Sequence, residues 1–309
     1  MSDRSGAAFT RRQFLAAAAV VPFVRPANAI PSLLDRVMVQ GRPQDTGSPY
    51  KVRNIMPALD ALGGLRRMRC RAPFSGTPGW QSYEGLANEG VRFCFTLPIK
   101  DPTVLVDDMV AFVRLHPGSI FAIEFPNEPD LNPVSYKSMK DVRLGAREGD
   151  APALMAFCRD ITQILSQTEE LKEIPRVSFN DWMQAEQSDL VAYANSHIYP
   201  KPTTPVDAWL PGWRALLAES GHKQGMITEW GRTTGGDASN PVAPPVSLDQ
   251  QAELLSADLR SILAEPTVAT VSLYELLSWP GDSEQNNFGL FNADLSPRPV
   301  VDAIRAIVS

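Results

Sequence analysis

Past residue 30, short apolar runs alternate with longer stretches whose apolar residues recur every three or four positions. The short runs are "VMVQ" at 37–40, "RRMRC" at 66–70, "VRFCFTL" at 91–97 and "SIFAIEF" at 119–125. They continue with "PRVSF" at 175–179, "NSHIY" at 195–199, "GMITEW" at 225–230 and "VATVSLYELL" at 268–277. Their lengths predict strands. Between them, Leu105, Met109, Phe112 and Val113 share one helical face. Leu154, Phe157, Cys158, Ile161 and Leu165 form another, and Val300, Ala303, Ile304 and Ile307 a third. Strands alternating with helices predict a parallel sheet covered by helices. Eight strand candidates in a chain of 309 residues favour an α/β chain with a single (β/α)8 TIM barrel over a doubly wound sheet. No glycine-rich phosphate loop follows an early strand, which removes the main reason to prefer a dinucleotide-binding fold. "GRTTGGDASNPVAPPVS" and "RPQDTGSPY" read as surface loops.

The first 29 residues stand apart from this pattern. Arg11-Arg12 precede Phe14-Leu15 and an alanine and valine run that ends in Ala27-Asn28-Ala29, a small-x-small cleavage site. The run is too short to span a bilayer. It resembles a twin-arginine export signal, with Ala16 where such signals often carry lysine. The expected division is therefore a signal peptide over 1–29 and a barrel over 30–309, periplasmic or secreted, with no membrane span in the mature chain.

Charge and composition narrow the chemistry. A net charge of -6 and the lack of a basic stripe argue against a nucleic-acid partner. Polyanionic substrates become less expected for the same reason, although a local patch overrules an average. Cys70, Cys94 and Cys158 have apolar flanks and irregular spacing and read as buried thiols. His116, His197 and His222 stand far apart without ligand-pair spacing, so no metal is expected. No cofactor of any kind is expected, and the chain is expected to act as a monomer.

The candidate chemistry lies at strand ends. In a β/α barrel these line the active site, and "FAIEFPNEPD" at 121–130 places Glu128 at the end of the fourth strand. "MITEWG" places Glu229 at the end of the seventh. Two carboxylates at one barrel mouth are what glycoside hydrolysis requires, one as proton donor and one as nucleophile or base. Alone, each motif is weak, since Asn and Pro favour ordinary turns; their joint placement is the signal.

With these motifs the chain resembles the clan A glycoside hydrolases, retaining barrel enzymes that include the cellulase-like family 5 and the xylosidase-like family 39. The resemblance implies that Glu128 is the acid/base, Glu229 the nucleophile and Asn127 the donor to the sugar 2-hydroxyl. "EFPNEP" is similar to the family's Glu-x-x-Asn-Glu-Pro stretch and makes Glu124 structural; Pro126 stands where many relatives carry an aromatic residue. Arg69, with Arg71 as its rival, matches the strand-two arginine. "HIYP" offers His197 and Tyr199 at strand six, and "LLSWPGD" offers Trp279 as the strand-eight tryptophan. The implied activity is an exported retaining glycoside hydrolase cleaving β-linkages in a polysaccharide or oligosaccharide. The alternatives are a non-catalytic carbohydrate-binding barrel and an accessory protein of exopolysaccharide assembly.

Physical reasoning adds roles. Arg69 paired with Glu124 would hold the catalytic strand in place. Tyr199 would either orient Glu229 or pack on the core, and His197 would either donate into the site or be a satisfied core histidine. Trp279 and Trp230, next to strand ends, and Trp182, after strand five, are candidates to stack on sugar rings. Trp209 and Trp213 sit at helical spacing with Leu216 and Leu217 and read as core.

Overall fold

The structure is a computed structural model and describes residues 32–47, 49–129, 131, 134–141, 151–180, 186–237 and 244–309. The expected signal peptide and Trp182 lie outside the described residues. Eight parallel strands form the barrel: β1 (Val37–Gln40), β2 (Arg67–Arg71), β3 (Arg92–Thr96), β4 (Ile120–Glu124), β5 (Arg176–Val177), β6 (Ala194–Ile198), β7 (Gly225–Trp230) and β8 (Val268–Leu273). Their order around the sheet is β5-β4-β3-β2-β1-β8-β7-β6. A parallel bridge between Val177 and Tyr193 brings the two ends together. Ser178 N donates to Tyr193 O at 3.1 Å across that seam. The fold is thus a single, nearly closed (β/α)8 barrel. A small antiparallel hairpin, Ser135–Tyr136 with Met139–Lys140, follows β4.

Among the described residues, eight α-helices accompany the strands. They are α1 (Leu33–Arg36), α2 (Val52–Ala61), α3 (Pro78–Asn88), α4 (Pro102–Leu115), α5 (Pro152–Gln167), α6 (Leu210–Ser220), α7 (Leu248–Ala264) and α8 (Pro299–Val308). Among the described residues no helix separates β5 from β6. Local chemistry sets the helix ends. Asp101 caps α4 by accepting from Thr103 N, and Ser247 with Gln250 forms a reciprocal capping box on α7. The apolar faces then turn inward: Leu105, Met109 and Phe112 of α4 and Leu154, Phe157, Cys158, Ile161 and Leu165 of α5 are buried. The three cysteines are buried free thiols.

Two apolar regions result. The larger lies between strands and helices, and the smaller fills the barrel with Met38, Cys94, Ala122, Val177 and Met226. In β1 and β3 alternate residues belong to one or the other, Val37 and Val39 outside Met38 and Phe93 and Phe95 outside Cys94, as the two-residue period of a strand requires. Above the small inner plug the inward positions turn polar, with Gln40, Arg69, Thr96, Glu124 and Asn195 forming the floor of the mouth.

Gly225 opens β7 because no side chain fits there. A Cβ would lie 2.3 Å from the Trp213 ring and 2.7 Å from Ala194 O. Gly225→Ala should therefore lower stability by about 1–3 kcal/mol through overpacking, measured by urea denaturation. A variant as stable as the parent would show that α6 shifts away at no cost.

Candidate active site

The mouth is organised around Arg69, the third residue of β2, which is 2 % exposed. Its Nε donates to Glu124 Oε2 at 2.6 Å and its Nη2 to Glu124 Oε1 at 2.6 Å, a bidentate pair. Nη2 also donates to Asn127 Oδ1 at 2.6 Å. Nη1 donates to Glu229 Oε1 at 2.5 Å and to Gln40 Oε1 at 2.9 Å. One planar cation thus joins side chains from β1, β4, β7 and the turn after β4. Arg71, the rival, ends β2 with its side chain exposed.

Glu229 reaches the mouth through an irregularity in β7. Asn195 pairs with Met226 and Ser196 with Ile227, but His197 pairs with Glu229, so Thr228 is an extra residue. Such a bulge re-aims side chains. Thr228 and Glu229, consecutive in sequence, both point into the barrel: Thr228 Oγ1 donates to Glu124 Oε1 at 3.1 Å while Glu229 meets Arg69. Trp230 then points outward. It is fully buried in the strand–helix core, which corrects its expected role as a sugar platform.

Glu128 lies in the turn after β4 with φ 41°. This is a left-handed backbone that a non-glycine residue adopts at a cost of about 1–3 kcal/mol, and such strain gathers at functional sites. His197 bridges the two acids. Its Nδ1 is 2.9 Å from Glu128 Oε1 and 3.7 Å from Glu229 Oε2, and its Nε2 is 3.0 Å from Thr228 Oγ1. Tyr199 donates its hydroxyl to Glu229 Oε2. Tyr199, Tyr274 and Phe288 pack edge to face, with centroids 5.3–5.7 Å apart.

These contacts fix the charges. Burial would raise Glu124, but Arg69 and His197 outweigh it and hold its pKa at about 2. Burial likewise opposes ionisation of Glu229, and the charges of His197 and Arg69 with the Tyr199 hydrogen bond bring its pKa below the ordinary carboxylate value. For His197, burial disfavours the cation. The charge of Glu229, with Glu124 3.9 Å away and the hydrogen bond to Glu128, prevails and raises its pKa to about 10. His197 is therefore an imidazolium at neutral pH and donates from both nitrogens.

Ligand atoms of Glu128, His197 and Glu229 lie within 4.8 Å of one another, a spacing a metal ion would accept. In this structure these atoms are engaged with one another and with Arg69: His197 Nδ1 meets Glu128 Oε1 at 2.9 Å, and Arg69 donates to Glu229 Oε1.

Trp279 is not a strand-eight residue. β8 ends at Leu273, and the chain turns before Trp279, which is half-buried against Tyr50 at 5.6 Å. The aromatic residue at the tip of β8 is Tyr274, which lines a cavity of about 570 Å³ together with Gln40, Arg42, Asn127 and Glu229. Tyr274 and Arg42 escaped the sequence reading: the strand was extended through Tyr274, and Arg42 sits in a stretch that reads as an ordinary loop.

No family model matches the chain, and no curated protein matches it. Among solved structures, it is similar to a family 2 β-galacturonidase from Eisenbergiella tayi, with TM-score 0.63 and 13 % identity over 87 % of this chain and 50 % of that one. It is similar also to a family 17 β-1,3-glucanosyltransferase from Rhizomucor miehei, with TM-score 0.62 and 13 % identity over 87 % and 97 %. A family 39 glycoside hydrolase from Bacteroides cellulosilyticus WH2 gives 0.60 and 14 % over 89 % and 63 %. The chain spans half the length of the β-galacturonidase.

Arg69→Gln should lower stability by about 3–5 kcal/mol by stranding two buried carboxylates, and adding Glu124→Gln should cost less than the sum of the single changes. Chemical denaturation of the four proteins tests this. The His197 contribution follows its raised pKa. It is fully present below its ordinary 6.5 and is lost as pH rises through about 10. The stability difference between the parent and His197→Asn should accordingly shrink between those values; a constant difference from pH 6 to 10 would refute the charged histidine. By its barrel the chain shares the fold of these two glycoside hydrolases and of the glucanosyltransferase.

Proposed function

We propose that the protein is a retaining glycoside hydrolase that cleaves β-glycosidic bonds in a polysaccharide or oligosaccharide. The observation that carries this reading is the spacing of the two acids. One oxygen of Glu128 and one of Glu229 lie within 4.8 Å of each other, and both face His197 Nδ1, at 2.9 and 3.7 Å, so the two acids share one mouth as the close pair of a retaining enzyme does.

Glu229 is ionised and held at both oxygens, by Arg69 and Tyr199. It attacks the anomeric carbon while the leaving oxygen takes a proton from the Glu128 side, so the C–O bond breaks as the glycosyl ester forms. Asn127, fixed through its Oδ1 by Arg69, keeps its amide N–H groups for the sugar 2-hydroxyl. In the second step Glu128 accepts a proton from water, which attacks the ester and releases the sugar with its configuration retained.

Glu229→Gln should abolish turnover on all substrates. Glu128→Gln should retain the first step on aryl glycosides with good leaving groups, and azide should restore turnover with a β-glycosyl azide as product. If azide instead rescues Glu229→Gln to an α-azide, the roles are exchanged. A chain that binds oligosaccharides but turns over no β-glycoside would favour the non-catalytic barrel. Export belongs to the same proposal and is supported by Arg11-Arg12 before the alanine run. Replacing both arginines by lysine should retain the precursor in the cytoplasm, detected by fractionation; an unchanged exported yield with the general secretory route blocked would refute it.

A further inference from the structure

The cavity beside Glu229 has a charge balance opposite to that of the whole chain. Four charged side chains line it: Arg42, Arg69, Arg71 and Glu229. Arg69 is committed to Glu124 and Glu229. Arg42 and Arg71 are not committed in this way.

Arg42 follows β1 and is anchored on one side only. Its Nε donates to Glu275 Oε2 at 3.0 Å, its Nη2 donates to the Tyr274 hydroxyl at 3.3 Å, and its guanidinium lies 5.7 Å from the Trp279 ring centroid. Nη1 has no hydrogen-bond partner among the described residues, and the side chain is 31 % exposed. Burial raises Glu275 to a pKa of about 7, against the opposing charge of Arg42. Arg71 makes no ion pair among the described residues and lies 5.9 Å from the Phe74 ring centroid. Lys100 lies 3.6 Å from the same ring centroid. Arg42, with Nη1 unbonded among the described residues, and Arg71, without an ion pair among them, line one cavity of a chain with net charge -6; together they form a receptor for an anion, and a planar guanidinium with free N–H groups matches a carboxylate.

We propose that the glycone of the substrate carries a carboxylate, a uronic acid, and that Arg42 and Arg71 select it. This rests on the glycosidase reading and adds the substrate class to it. Trp279, in place of stacking on sugar, backs the Arg42 guanidinium. The cavity volume of about 570 Å³ falls within the ~300–1,000 Å³ of small-ligand pockets, and Arg42, Arg71 and Glu229 all line it.

The test compares kcat/KM on substrate pairs that differ only in oxidation at C6. These are aryl β-glucuronides against β-glucosides, aryl β-galacturonides against β-galactosides, and the corresponding aryl disaccharides with the acid on the outer residue. At least one acidic member should exceed its neutral partner by tenfold or more, with the preference falling as salt rises. In Arg42→Gln and in Arg71→Gln the acid-to-neutral ratio should drop about 10–100-fold, the loss of a charge-assisted hydrogen bond. Arg71 is exposed, so its variant keeps the test open should Arg42→Gln fold poorly. Neutral members equal to or better than every acidic partner overturn the proposal and leave the glycosidase reading standing. So does a 6-sulfated glucoside preferred over the glucuronide. If nothing is turned over, the glycosidase reading fails, and calorimetry decides this one. Uronate oligosaccharides binding the parent but not the two variants support it, and equal binding of neutral oligosaccharides refutes it.

Discussion

The Arg69 guanidinium is the constraint on which the mouth of the barrel depends. A buried cation is costly unless it is paired and hydrogen-bonded, and this one is met by Glu124 bidentately, by Glu229, by Asn127 and by Gln40. The two fully buried carboxylates carry more negative charge than Arg69 can offset. His197, placed between Glu128 and Glu229, supplies the second cation, and its raised pKa is the electrostatic consequence of that shortage. Charge balance therefore sets the protonation of the histidine, and the histidine in turn sets the spacing of the acids it bridges.

Backbone departures from regularity deliver these groups. The extra residue in β7 turns Thr228 and Glu229 to the same side, giving Glu124 a hydroxyl and Arg69 a second carboxylate from adjacent positions. Glu128 hangs from a left-handed turn residue next to Pro129, whose ring restricts the preceding residue. The regular strands fix the frame, and two local irregularities aim the acids within it.

That division explains what was legible in the sequence. Strand and helix periodicity showed through because the strands bury one face against the helices and the other inside the barrel, and the runs at 37–40 and 225–230 match β1 and β7 end to end. Glu128 and Glu229 were readable as strand-end acids. Thr228 was not, because a bulge breaks the period that assigns faces. Trp230 was misplaced for a related reason: lying next to the strand tip says nothing about which side it faces, and after the bulge it faces the helices. Arg42 gave no local signal, since its partner Glu275 is 233 residues away. Trp279 was misassigned because "VSLYELL" continues a strand-like apolar pattern where the chain has already turned.

The same electrostatics couple the two halves of the proposed reaction. The charge of Glu229 is the largest of the influences that keep the proton on His197 against burial. When Glu229 forms a bond to the anomeric carbon it loses that charge, and the hold on the proton weakens at that moment. His197 Nδ1 faces Glu128 Oε1 at 2.9 Å, so the proton released is already directed toward the residue that serves the leaving oxygen. Nucleophilic attack and proton delivery are thereby linked through one imidazolium. The link runs in reverse when water cleaves the ester: Glu229 regains its charge, and the His197–Glu128 pair regains the proton that water gives up.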